Sequence, residues 1–214
     1  MLVMNNPRNH IPSGRYNRGF TLIELLTVIA IMSLITLALL AEQGKFDSST
    51  VLRSLAYSVA LSARQAQVYG VSVVGVSSSG SVNYVPAYGL YFASTLPQSY
   101  ILFADANGNG QYDTGEIVKT FTLNNGYTIA NVCAKYGASQ WRCFNPSQIS
   151  YFEILFKRPN PDAQFLALNS SQSPVAGPYS EAYITVSGPN GDTRAVSVST
   201  TGEIAVWAPN TTPL

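Results

Sequence analysis

Three groups of residues have types and spacings suited to chemistry. The densest is DANGNGQYDTGE, residues 105–116. Asp105, Asn107 and Asn109 alternate, Gly110 takes the sixth place, Gln111 the seventh, Asp113 the ninth and Glu116 the twelfth. Calcium is held by about six to eight oxygens at roughly 2.3–2.6 Å, and a flexible loop can supply them. Here Asp105, Asn107 and Asn109 would give side-chain oxygens, Gln111 its backbone carbonyl, Asp113 a direct or water-mediated contact, and Glu116 the closing carboxylate. Three of the 11 acidic residues in the chain fall in this stretch, each on a ligand position. The second group is Cys133 and Cys143. Neither belongs to a C-x-x-C and no histidine is near, which argues against zinc. The third is Glu24, the single charge in residues 20–41.

Each group admits a plainer reading. The loop has the spacing of an EF-hand, yet YILFA before it and IVKTFTL after it are strand-like rather than helical. Tyr112 also stands where such loops prefer an aliphatic side chain. The alternative is a hairpin turn rich in Asn and Gly, with acids for solubility. The cysteines are expected to form a disulfide if their domain lies outside the cytoplasm, and are otherwise two buried thiols. Closing so short a loop would contribute roughly 2–3 kcal/mol in the chain-entropy picture.

Catalysis is not expected. The only histidine is His10, upstream of Gly19, and neither a G-x-S-x-G nor a P-loop pattern is present. The composition is 46% hydrophobic but only 11% charged, far below the roughly 25% of ordinary soluble chains. The net charge of +1 conceals a split. Arg8, Arg15 and Arg18 precede Gly19 with no acid among them, and without them 9 basic and 11 acidic side chains remain, a balance of −2. No basic patch is visible, which argues against a nucleic-acid partner.

The elements that would position these residues follow from the hydrophobic pattern. Residues 20–41 are apolar apart from Glu24. As a helix they would reach about 33 Å, enough for a bilayer core of about 30 Å. The upstream arginines predict a cytoplasmic N-terminus. A secretory signal would have a shorter core and a small-x-small cleavage site, whereas EQGKFDSS follows here. Gly44 is expected to interrupt the helix, and Ser48 or Ser49 to cap a second, amphipathic one over residues 44–69. Leu52, Leu55, Val59, Ala63 and Ala66 recur at helical intervals on its apolar face, with Arg53, Arg64, Gln65 and Gln67 off it.

After Gly70 the chain turns to short β-branched and aromatic runs between Gly, Pro, Asn and Ser. Strands are predicted over residues 71–76, 88–93, 100–104, 117–123, 127–132, 151–157, 164–168, 182–187, 193–199 and 203–208. NSSQSPVAGP, residues 169–178, reads as a loop. The expected fold class is α+β: a long N-terminal helix, its first half transmembrane, packed on a C-terminal antiparallel two-sheet β domain over residues 70–214.

A carboxylate in hydrocarbon costs about 2.5–3.5 kcal/mol even on lenient insertion scales, so Glu24 requires a partner. Gly19-Phe20-Thr21-Leu22-Ile23-Glu24 resembles the processing site of type IV pilins and type II secretion pseudopilins. The resemblance implies that a dedicated prepilin peptidase cuts after Gly19, leaving residues 1–19 as leader, and methylates the new N-terminal Phe20. It also implies single-pass residence in the inner membrane with the β domain outside the cytoplasm. Partners would be other pilin or pseudopilin subunits and the inner-membrane assembly platform, in a pilus or pseudopilus built through residues 20–43. The positive amine of Phe20 would then neutralise Glu24 of a neighbouring subunit and fix the axial register. LRSLAYSVALSARQAQ and RAVSVSTTGEIAVW resemble, more loosely, elements of the minor, H-type pseudopilin branch. Some of that branch bind DNA through basic residues near the last hairpin; Thr200-Thr201-Gly202-Glu203 departs from that pattern. The reading from another class is a signal-anchored surface binding domain that never polymerises.

Overall fold

The computed structural model describes residues 19–72, 75–78, 81–84, 87–145 and 147–211. Arg8, Arg15, Arg18, His10 and part of the strand expected over residues 71–76 lie outside them. The chain divides into two units, Met1–Gln43 and Gly44–Leu214.

Helix α1 spans Leu22–Val71. It starts where it does because Thr21 caps it: the Glu24 amide donates to Thr21 Oγ1 at 3.3 Å and the Leu25 amide to the Thr21 carbonyl at 3.1 Å. In Leu22–Leu40 each hydroxyl donates back to the helix itself, Thr27 to the Glu24 carbonyl, Ser33 to Ile29 and Thr36 to Met32. Hydroxyls so satisfied are tolerable in an apolar setting. The helix passes through Gly44 unbroken, correcting the expectation of two helices over residues 20–43 and 44–69. One glycine costs about 1 kcal/mol against alanine in a helix interior, too little to stop a helix with Ala, Glu, Gln and Lys around it. Ser48 and Ser49 are therefore interior residues and not caps.

In the second unit β1 (Val76–Ser78) and β2 (Ser81–Asn83) form a small hairpin. The expected strand over residues 71–76 is replaced by the helix end and the start of β1. The other strands are β3 (Ala87–Ala93), β4 (Ser99–Asp105), β5 (Ile117–Thr122), β6 (Thr128–Tyr136), β7 (Gln140–Cys143), β8 (Tyr151–Phe156), β9 (Ala163–Leu168), β10 (Tyr179–Ser187), β11 (Thr193–Ser199) and β12 (Ile204–Val206). They build two five-stranded antiparallel sheets, ordered β5-β4-β3-β8-β9 and β12-β11-β10-β6-β7.

Alternation decides which side chains go inward. Phe152, Ile154 and Phe156 of β8, Leu90 and Phe92 of β3, and Ile184 and Val186 of β10 join one core with Leu52, Ala56, Val59, Ala63 and Ala66 of α1. The helix is also tied by polar contacts. Ser62 Oγ and the Tyr100 hydroxyl lie 3.0 Å apart, and the Tyr127 hydroxyl donates to the Ser48 carbonyl at 3.2 Å. Gln67, expected off the packed face, is buried instead. Its amide donates to the carbonyls of Pro161 and Gly202 at 2.8 and 3.0 Å, which is how a polar side chain is accommodated there. At the helix end Gly70 meets β8 so closely that a Cβ would stand 2.3 Å from the Phe156 carbonyl oxygen.

Candidate functional site

The sequence-predicted calcium ligands all lie in the connection from β4 to β5. Asp105 is the last residue of β4, 3% exposed, and opposes Ala87 of β3. Its Oδ1 accepts the amides of Gly108 and Asn109 at 2.8 and 3.0 Å, and its Oδ2 accepts that of Gly110 at 2.9 Å. The chain can turn this sharply because Gly108 and Gly110 both adopt φ of +77°. Glu116 closes the other end: Oε1 accepts the amides of Ala106 and Asn107, and Oε2 that of Asp113 at 3.0 Å. Between these anchors three ligand positions meet. The side-chain amides of Asn107 and Asn109 donate to Asp113 Oδ2 at 2.8 and 2.6 Å. Gln111 lies within the same turn, its amide donating to Asn109 Oδ1 at 2.8 Å. Among the described residues no three Asp, Glu, His or Cys side chains converge on one point. The heads that do converge are two asparagine amides and one carboxylate.

The pattern of spacing did not reveal what supports the loop. Glu153 of β8 points to the outer face of its sheet and is 1% exposed. Its Oε2 accepts the Tyr112 amide at 3.1 Å, while its Oε1 is shut from water without a partner. Burial pushes its carboxyl up to about 8; the Tyr112 amide opposes this, and the charges of Asp113, Asp105 and Glu116 add to it. Beneath the loop the Tyr112 ring packs 4.5 Å from Tyr91 and 5.5 Å from Phe103, over a small apolar cluster of Ala87, Ile101, Phe103 and Leu155. Burial, together with Tyr151, Glu153 and Tyr112, pushes the Tyr91 hydroxyl up to about 12. One sequence clue to Glu153 exists. It is the lone charge in YFEILF, on the same face as Tyr151 and Leu155, and that face is covered.

Cys133 and Cys143 face each other across β6 and β7 and are joined as a disulfide. On that face Trp141 packs 4.9 Å from Tyr183, which in turn lies 6.0 Å from Trp207.

The first unit holds the other candidate residues. Gly19 and Phe20 precede the cap, and Phe20 is 82% exposed. Leu22–Leu40 is long and apolar enough, by length and composition, to cross a membrane, and none of it is buried. Glu24 stands in the first turn, where a carboxylate favours the positive helix terminus. Thr21 and Glu24 have capping-box spacing, but only the Thr21 half of the box is made, to the Glu24 backbone amide. Beyond its backbone amide on Thr21, Glu24 is the one polar side chain of Leu22–Leu40 whose head group meets nothing else among the described residues.

A family model described as the prokaryotic N-terminal methylation motif matches residues 14–40. The N-terminal segment thus carries a type IV pilin-like signal, and the match covers that segment alone. No curated protein and no solved structure matches the chain.

Proposed function

We propose that this chain is a minor pilin or pseudopilin, close in kind to the H-type branch, processed after Gly19 and assembled through the exposed apolar half of α1. It would sit in the inner membrane as a single-pass subunit before extraction by the assembly platform into a pilus or pseudopilus. The observation that supports this best is the contrast along Leu22–Leu40. Every hydroxyl there is answered by its own helix, and Glu24 alone is left with a bare carboxylate. A neighbour's Phe20 amine, created by the cut after Gly19, supplies the charge it lacks.

The capping geometry favours a second reading, a plain signal-anchor in which Glu24 serves only its own helix start. Two measurements separate them. Mass spectrometry of the protein from a host with the processing machinery should find a chain starting at N-methylated Phe20; a chain retaining Met1 supports the anchor. Glu24→Gln keeps a capping-box residue but deletes the charge. We expect it to insert in the membrane normally and to lose incorporation into filaments by at least about tenfold, the loss of a charge pair of roughly 1.4 kcal/mol or more. Incorporation at the wild-type level removes the charge from the account.

A further inference from the structure

We infer that the loop from Asp105 to Glu116 is a calcium site whose charge is completed from outside the loop by Glu153. The inference is independent of how the N-terminal helix is used.

The loop alone would be a set of acids held by backbone amides. Glu153 gives a separate reason to place a cation there. It comes from a strand 37 residues beyond Glu116, it is 1% exposed, and it reaches the loop between two ligand positions through the Tyr112 amide. Its second oxygen is buried and has no hydrogen-bond partner among the described residues. Three further carboxylates, Asp105, Asp113 and Glu116, act on it, and all are of the same sign. A buried carboxyl so placed keeps its proton unless a positive charge nearby lets it ionise. A divalent cation bound by the loop supplies that charge.

Part of the ligand set is already gathered. Asn107 and Asn109 already meet at Asp113 with their nitrogen ends. Half a turn of each amide about its last bond presents the oxygens instead, at the expense of the hydrogen bonds that Asn107 Oδ1 and Asn109 Oδ1 now accept from the amides of Asn109 and Gln111. Asp105 and Glu116 are pinned at the two ends of the loop by five other backbone amides and by that of Asp113. Many oxygens on a flexible loop suit calcium better than magnesium, which demands near-ideal octahedral geometry and keeps several waters.

The test uses the full chain in detergent, stripped with chelator and titrated with calcium chloride by calorimetry, with melting followed in parallel. We expect a dissociation constant of about 10⁻⁴–10⁻³ M and a melting temperature raised by about 3–10 °C in 10 mM calcium, with a smaller rise in 10 mM magnesium. Asp113 is exposed and contacts mainly the two asparagines, so Asp113→Ala should melt normally in chelator and bind calcium at least about tenfold more weakly. Glu153→Gln should melt higher than the wild type in chelator, yet gain less from calcium. Absence of binding at 10 mM, an undiminished response in Asp113→Ala, or an equal response to magnesium overturns the calcium site. An unchanged calcium affinity in Glu153→Gln overturns the role given to Glu153.

Discussion

The apolar half of α1 and the β unit place their hydrophobic surface in opposite ways. From Leu22 to Leu40 nothing is buried. In the β unit, alternation sends Phe92, Leu102, Phe152, Ile154, Phe156 and Ile184 into a shared interior with the later part of α1. Their acids differ in the same sense. Glu24 lies open at a helix start, while Glu153 is walled in with one oxygen unanswered. The first region leaves its apolar surface and its one carboxylate open. The second buries a core of its own and leaves one oxygen of Glu153 unanswered beside the loop.

The comparison is sharpest where a like change is made in each region. Ile154→Ala opens a cavity in the fully buried core and should cost about 2–5 kcal/mol in chemical denaturation of the β unit. Ile31→Ala removes an equally apolar side chain from an exposed position and should leave that denaturation midpoint unmoved. A shifted midpoint for Ile31→Ala breaks the division. Next comes pH. The Glu153 carboxyl is raised in the folded state, so its contribution is full below the ordinary carboxylate range near 4.5 and is lost as pH climbs through about 8. Measured in chelator, wild-type stability should decline across that window relative to Glu153→Gln, by on the order of a few kcal/mol. Parallel pH profiles would show that Glu153 is not strained. Smaller again is the disulfide. Reduction, or Cys133→Ala with Cys143→Ala, should lower β-unit stability by roughly 2–3 kcal/mol while leaving the helical signal of the N-terminal segment intact.

Local patterns carried much of this structure. Short aromatic and β-branched runs between turn residues were enough to place β4 and β3, and helical spacing placed Leu52, Val59, Ala63 and Ala66 on the packed face. The cysteine pair and the single acid in the apolar run were equally visible. What escaped depended on distant partners. Gln67 looks solvated by spacing, because only the fold brings Pro161 and Gly202 to its amide. β7 was missed because QWRC is short and is a strand by virtue of pairing with β6. Gly44 was overweighted as a breaker, since its cost is small beside a helix of 50 residues. Glu153 was legible as a strand residue, but its tie to Tyr112 spans 41 positions and no spacing rule reaches that far.

Strand β8 connects features otherwise far apart along the chain. Its Phe156 backbone presses against Gly70 at the end of α1, and three residues earlier its Glu153 holds the floor of the acidic loop. One methyl group at position 70 would act as a wedge, levering strand from helix. The disturbance would travel along the strand and the Glu153 side chain to the Tyr112 amide, so one glycine in the helix helps to keep the acidic loop in shape.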